Sequence, residues 1–433
     1  MKFFQKLLLI CLITFPCISQ TQEEKPPAVG GTIEGGFKPL PVLIPGPFVE
    51  NAQAAPLAQE LQKTLSDDLY YSDLFEMVDA SPYPPFRGDV NLAPWKSSRA
   101  KYVVLVKVGL AGDQINVEAR FYDLQSEQRI IGKVYKWERK FMRQIAHRFG
   151  DEILLHLWGI KGIFTSKIAF SSDRTGNREV WMMDYDGYNQ RQITVSKTVN
   201  LSPDLSPDGK KIVYSTYKPT ENIVSQVIVL YGIYTGEKKT LFSKGSLNSA
   251  PAWSPDGNRI TFASNVNKHT DIYVINTDGG GLRQLTFGRS IETSPAWNPK
   301  SGQIAFTSDR SGNPMVYVMN DDGTNEQRIT FVGEYNESAA WSPDGSKLAY
   351  VSRSGSIFDI YVVMDMSSGV VRRLTQNELS NENPVWAPDS RHLAFASNRT
   401  GKFQIWSMSV DGTKLRQLTR EGNSTSPSWA PGE

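Results

Sequence analysis

Apolar residues are spaced differently in successive parts of this 433-residue chain. Leu7 to Phe15 form one apolar run behind Lys2 and Lys6. From residue 33 to 160 the spacing changes element by element. Pro39 to Pro45 hold a short apolar strand ending at a Gly-Pro turn. Leu57, Leu61, Leu65 and Leu69 recur at every fourth position and predict a helix striped on one side. Pro56 can open it, because the missing N–H is harmless in a first turn. Tyr102 to Val108 is a continuous apolar run suited to a central strand, and Gln114 to Tyr122 alternates as a half-buried strand does. Gly109 to Asp113 is the expected hairpin turn between them, and Arg129 to Tyr135 a third strand. Ile145, Phe149, Ile153 and Leu157 stripe a second helix, which Gly159 stops. These elements predict a small α/β domain over residues 33–160.

From residue 162 onward the pattern repeats. An aromatic or Leu followed by a Pro-containing turn recurs at Leu205, Trp253, Trp297, Trp341, Trp386 and Trp429, at intervals of 43 to 48 residues. A period in the forties corresponds to one four-stranded sheet per unit, the blade of a propeller. Strand one is the Pro-x-Trp run, as in Ser426 to Trp429. Pro, Asp and Gly then set a tight turn. Strand two alternates, as in Arg259 to Ser264; strand three is exemplified by Asp271 to Ile275; an Asp-Gly turn leads to strand four, such as Leu282 to Thr286. The series is out of phase by one strand. The first unit starts on strand two at Ile168, and the last Pro-x-Trp strand has no partners after it. The C-terminal strand is therefore expected to complete the first blade, so that residues 162–433 form an all-β six-bladed propeller with no unpaired ring edge.

Composition narrows the function classes. Hydrophobic residues make up 39% and charged residues 21%, as in a folded globular protein. Residues 1–19 read as a cleaved export signal: a basic start, an apolar stretch too short to span a bilayer, and the small residues Cys17 and Ser19 before a cut at Gln20. Cys11 and Cys17 are the chain's 2 cysteines, so the mature protein has no disulfide, thiolate or cysteine metal site. Lys and Arg number 47 against 45 Asp and Glu; losing Lys2 and Lys6 leaves a balance of zero and no broad field for nucleic acid. Gln20 to residue 32 is rich in Pro and Gly and is expected to be flexible.

No catalytic constellation stands out, and no residue set points to a cofactor or metal. His147, His156, His269 and His392 are scattered; His147 and His156 are too far apart on one helix for a metal pair, which favours surface or packing roles. Asp184 to Gly187 and Asn320 to Gly323 resemble fragments of a calcium loop, but Asp-Gly is the usual hairpin pair and the turn reading is preferred. Ser172 to Gly176 and Ser308 to Gly312 recur at the repeat period, as structural turns do. Trp253, Trp297, Trp341, Trp386 and Trp429 hold one fixed strand position and read as core wedges rather than a sugar platform. A peptidase or lyase and a carbohydrate-binding module remain as rival readings, because propellers serve all three.

The six turn units resemble the propeller repeat of the TolB family. The first domain sharpens the likeness. Pro56 to Phe75 is similar to the family's helix and following strand. Ala146-His147 with Asp151, then Gly159, Gly162 and Phe164, follow its domain junction. The resemblance spans about residues 33–432. It implies a non-enzymatic, monomeric periplasmic adaptor of the Tol-Pal system, neither membrane-embedded nor bound to nucleic acid. Its implied partners are the peptidoglycan-associated lipoprotein Pal and TolA, with other envelope proteins as further candidates, and its implied roles are outer-membrane invagination at division and outer-membrane integrity. By position, the resemblance puts Pal at one propeller mouth, at the loops leading into the Pro-x-Trp strands: Leu247-Asn248-Ser249, Glu292-Thr293, Asn336-Glu337, Asn381-Glu382-Asn383 and Ser424-Thr425. A family histidine in this region is Leu247 here. The stretch Gln20 to Gly36 corresponds by position to the family's mature N-terminal segment, which engages TolA or folds back on the body.

Overall fold

The computed structural model describes residues 38–219, 224–376 and 379–432. The expected export signal and the expected flexible segment lie outside the described residues. The first elements are β1 (Leu40–Leu43), β2 (Phe48–Val49), α1 (Ala55–Tyr71), β3 (Phe75–Met77), β4 (Tyr102–Ala111), β5 (Gln114–Asp123), β6 (Arg129–Glu138) and α2 (Met142–Trp158). They form one mixed sheet in the order β3-β1-β4-β5-β6, with β2 beside β4. β4 is buried on both faces, as its unbroken apolar run requires. Val104, Val106 and Val108 meet the two helices; Val103 and Leu105 meet Phe86 and Trp95 from the long loop before β4. Leu61, Leu65 and Leu69 of α1 and Ile145, Phe149 and Ile153 of α2 share that helical core. Two boundaries differ from expectation. The hairpin shrinks to Gly112-Asp113 because β4 continues to Ala111, and β6 runs on to Glu138 because its partner β5 is equally long.

Six four-stranded sheets follow. Blade 2 contains Asn200–Leu205, Lys211–Pro219, Val224–Gly232 and Lys238–Phe242; blade 3 contains Asn248–Trp253, Arg259–Ser264, Asp271–Asn276 and Arg283–Gln284. Blade 4 contains Glu292–Trp297, Gln303–Ser308, Met315–Asn320 and Gln327–Arg328; blade 5 contains Asn336–Trp341, Leu348–Ser354, Ile357–Asp365 and Val370–Arg373. Blade 6 contains Asn381–Trp386, His392–Thr400, Lys402–Ser409 and Arg416–Gln417. Blade 1 is assembled from both ends of the repeat region: Ser424–Ala430 pairs antiparallel with Lys167–Ser172, then Glu179–Asp184 and Arg191–Gln192 follow. The predicted offset closure is the closure observed.

The repeat tryptophans are buried between blades, where a sugar could not stack on them. Trp253 Nε1 donates to the Asp204 carbonyl and Trp386 Nε1 to the Ala340 carbonyl, both at 3.0 Å, each crossing to the preceding blade. A second recurrent device ends strand four. The Thr hydroxyl at 194, 286, 330, 375 or 419 accepts from a backbone N–H of strand three in its own blade, at 2.8 to 3.0 Å. It supplies a partner beyond the end of the short outer strand, two residues long in four of these blades and four in blade 5. The Asp-Gly units at 184–187 and 320–323 are turns, with Gly187 and Gly323 at φ 91 and 90.

Candidate functional site: the open mouth of the propeller

Strand direction sorts every loop to one of two faces. The turns between strands one and two, and between three and four, share one face. The loops joining strands two and three, and each blade to the next, share the other. The α/β region sits on the first face, over blades 6 and 1. His147 of α2 pairs through Nδ1 with Asp68 of α1 at 2.8 Å, while its Nε2 lies 3.5 Å from Asp186 of blade 1. Arg143 pairs with Asp186, and the Tyr185 hydroxyl donates to Asp68. Burial opposes the charged imidazole, but Asp68 and Asp186 outweigh it and hold the His147 pKa up to about 10. A matching joint lies at blade 6. His392 is fully buried, stacks on Tyr71 at 4.5 Å between ring centroids, and faces Asp389 at 2.7 Å and Asp73 at 3.3 Å. Against its burial, those carboxylates raise its pKa to about 9.

The junction residues gain physical roles here. Asp151 accepts from the Phe164 and Thr165 backbone N–H groups, each at 3.0 Å, and so fixes the entry into blade 1. A side chain at Gly162 would meet the Asp151 carboxylate at 1.9 Å, so glycine is required there. His147, Asp184 and Asp186 place three ligating atoms within 4.8 Å of one another, as a metal site would. The donor set does not fit one. Lys167 already bonds Asp184, Arg143 bonds Asp186, and the imidazole carries its own proton, so a dication would have to displace three positive charges. The expectation of a surface or packing role for His147 becomes a buried ionic one. His156 is exposed, bonded to the Glu152 carbonyl.

On the opposite face the channel opens free of the α/β region. Apart from Leu247, the proposed mouth residues open strand one rather than lying in loops, and they separate into two sets. Asn248, Glu292, Asn336, Asn381 and Ser424 are buried; the three Asn reach into the preceding blade, and Glu292 and Ser424 bond within their own. Asn248 Nδ2 donates to the Gln226 carbonyl at 2.7 Å, Glu292 accepts from Arg310 at 3.0 Å, and Asn381 reaches Asp359 at 3.3 Å. These leading residues pin the strand and are not available to a partner. Ser249, Thr293, Glu337, Glu382, Asn383 and Thr425 are half-buried and line the opening, and Leu247 stands beside them. Directly after each leading pair the backbone turns left-handed, at Ser202, Ala250, Ser294, Ser338, Asn383 and Ser426, with φ between 47 and 52. The register slips at the same place in every inner strand, so a six-fold ring of bulges surrounds the channel.

The most exposed groups of this face escaped the sequence reading. Phe287 and Phe331 are each 74% exposed, and Ile291, Val332, Leu379 and Val195 stand out beside them, all in the blade-to-blade loops. The signal was present in Thr-Phe-Gly and Thr-Phe-Val after strand four, but an apolar residue next to a strand reads as core. Around them Arg and Lys outnumber Asp and Glu among the described loop residues, with Arg174, Arg289, Arg310 and Arg420 among them. Arg174, Arg310 and Arg399 lie over aromatic pairs of their own blades, with guanidinium carbons 4.6 to 5.5 Å from the ring centroids. The opening itself is acidic: Glu337 accepts from Tyr335 at 2.8 Å, and burial and then Glu337 raise the Glu382 pKa.

Comparison with known proteins agrees with this architecture. The family described as "TolB beta propeller domain" matches residues 155–362 and 339–433, and "TolB amino-terminal domain" matches residues 32–130. A Tol-Pal system protein TolB of Desulfosudis oleivorans is 32% identical over 267 residues, covering 57% of this chain and 60% of that relative. One from Geobacter sulfurreducens is 34% identical over 165 residues, 37% of this chain and 38% of the relative. The aligned parts thus span less than two thirds of either relative. The crystal structure of TolB from Acinetobacter baumannii superimposes with a TM-score of 0.77 at 26% identity, covering 91% of this chain and 97% of that one. With the propeller and most of the amino-terminal domain matched, this chain belongs to the TolB family of periplasmic proteins.

Proposed function

We propose that this protein is a non-enzymatic, monomeric adaptor of the Tol-Pal system, with domains at residues 33–160 and 162–433. Its propeller mouth docks the lipoprotein Pal, and its segment from Gln20 to residue 32 engages TolA after residues 1–19 are removed on export. In this role it supports outer-membrane invagination at division and outer-membrane integrity. One observation carries the reading: the face turned away from the α/β region exposes Phe287, Phe331 and Ile291 around an open channel. Exposed aromatics on a rigid ring are what a protein interface needs at its centre. The relatives' printed description as Tol-Pal system proteins supports the choice of partner.

The test is a titration of purified Pal against variants. Thr293→Arg with Glu337→Arg places two cations in the opening, and Phe287→Asp removes an apolar anchor. An unpaired charge buried against a partner costs several kcal/mol, so at least a tenfold loss of affinity is expected with little change in melting temperature. Lys238→Arg, on the far turn face, is the control. If the mouth variants bind Pal like the wild type, the docking face is wrong. Deleting residues 20–31 should weaken TolA binding, and the mature periplasmic protein should begin at Gln20.

A further inference from the structure

The residue that opens each inner strand sits beside the preceding blade, and four of the six are Asn: Asn200, Asn248, Asn336 and Asn381. Their side-chain amides donate backward across the junction. Asn200 Nδ2 reaches Glu179 at 2.6 Å, Asn248 the Gln226 carbonyl at 2.7 Å, Asn336 the Met315 sulfur at 3.1 Å and Asn381 Asp359 at 3.3 Å. Where strand three opens on a buried carboxylate, as at Glu179 and Asp359, an amide therefore faces it. The junction of blades 3 and 4 departs from this. Strand three of blade 3 opens on Asp271, and the next inner strand opens on Glu292. An acceptor stands where the repeat puts a donor.

Both carboxylates are buried, Asp271 at 2% exposure and Glu292 at 1%. Glu292 Oε1 takes the part of an Asn oxygen: it accepts from Arg310 Nη2 at 3.0 Å, as Asn381 Oδ1 accepts from Arg399 Nη2 at 3.0 Å. Oε2 is left with the part of the amide nitrogen, and it is buried with no hydrogen-bond partner among the described residues. Asp271 accepts from Gln284 at 3.0 Å and from Thr286 at 3.2 Å, both in its own blade. Burial and the Glu292 charge raise its pKa, against the Thr286 bond and the charges of His269 and Arg310. Arg310 does not restore the balance, because it also pairs with Glu326. Three carboxylates thus share one guanidinium, with the exposed His269 at the margin.

We propose that Asp271 and Glu292 bind one calcium ion between blades 3 and 4, with water completing its shell. The donors are all oxygen, which selects a hard cation, and calcium tolerates irregular sets of oxygen ligands where magnesium demands an octahedron. A dication supplies the two positive charges this cluster lacks, whereas a shared proton supplies one. The loop of residues 287–291 runs from Thr286, which bonds Asp271, to Glu292, so the ion closes the base of that loop. Any effect on docking through Phe287 and Ile291 rests on the Pal reading; the ion site does not.

The test uses full-length protein without Pal. Calorimetric titration should show one calcium ion bound with a Kd of about 0.1–1 mM. Calcium at about tenfold that Kd should raise the melting temperature by about 2–4 °C. The methyl signal of Ile291 should shift with it, and sodium chloride of equal ionic strength should do neither. Glu292→Asn gives this junction the amide found at Asn200, Asn248, Asn336 and Asn381. That variant should fold with an unchanged or higher melting temperature in the absence of calcium, and should lose the calcium response. Asp271→Asn, which removes the other ligand, should lose it too. A wild type that ignores calcium, or a Glu292→Asn variant that responds as the wild type does, would overturn the proposal. So would a wild type whose deficit against Glu292→Asn disappears at about pH 5 with no calcium response, because a shared proton would then fill the gap.

Discussion

His147 shows how far one side chain can carry a fold. It is 2% exposed, lies between Asp68 and Asp186, and joins two helices to a propeller turn. Replacing it with Gln leaves two buried carboxylates short of a countercharge, so a loss of about 3–5 kcal/mol is expected, measured by urea unfolding. Asp204 is the opposite case. Its equivalents at the fifth position of the inner strand are Ala252, Ala296, Ala340, Val385 and Ser428. It accepts from the Trp253 backbone N–H and the Ser428 hydroxyl, each at 2.8 Å, and thereby ties blade 2 to both neighbours. Burial raises its pKa to about 6 despite those bonds. The folded state therefore holds this proton more tightly than the unfolded one, and its contribution to stability falls as pH rises from about 4 to about 6. Asp204→Asn should remove that dependence and stabilise the protein at pH 8 by about 1–3 kcal/mol. Comparing thermal scans of both proteins at pH 4 and pH 8 checks it.

Among the elements, the strand Ser424–Ala430 matters most, because it is the inner strand of a blade whose other strands lie at the start of the repeat region. Deleting residues 426–433 exposes the edge of Lys167–Ser172 and removes Trp429, whose Nε1 donates to Ser166 at 2.7 Å. Loss of one large buried aromatic costs about 3–5 kcal/mol, comparable with much of a domain's stability. The whole propeller, not its last blade, is expected to melt at lower temperature. A truncated protein that melts like the intact one would show that the ring does not depend on this strand.

At the scale of the whole molecule, the α/β region straddles blades 6 and 1, the two that meet at the closure. Its hold is ionic at both ends, through His147 with Asp68, Asp186 and Arg143, and through His392 with Asp389, Asp73 and Lys414 nearby. Both histidine pKa values are raised from 6.5, to about 10 and about 9. A raised base stabilises fully below its unfolded pKa and loses that contribution as pH climbs through the folded one. Stability should therefore decline between about pH 6.5 and pH 10. The double variant His147→Gln, His392→Gln should be less stable at pH 7 and show a shallower alkaline slope. A slope equal to the wild type's would place the alkaline sensitivity elsewhere.

The six-bladed ring, its offset closure and both stripes of helix leucine and isoleucine were legible in the chain, because each follows from a local period: 3.6 residues for a helix, two for a strand, a blade length for the repeat. The turns were legible too, since Pro, Asp and Gly act on their own backbone. What the site exposes was not. Asn248 and Ser249 are adjacent and equally polar, yet one is buried against blade 2 and the other faces the channel. Phe287 has the composition of a core residue and stands in solvent. His147, Asp68 and Asp186 meet across 79 residues in one direction and 39 in the other, with nothing in their local sequence to pair them. Local periods fix elements because backbone geometry depends on near neighbours. Which side chain is covered, charged or free depends on what another element brings beside it, and only the packed ring settles that.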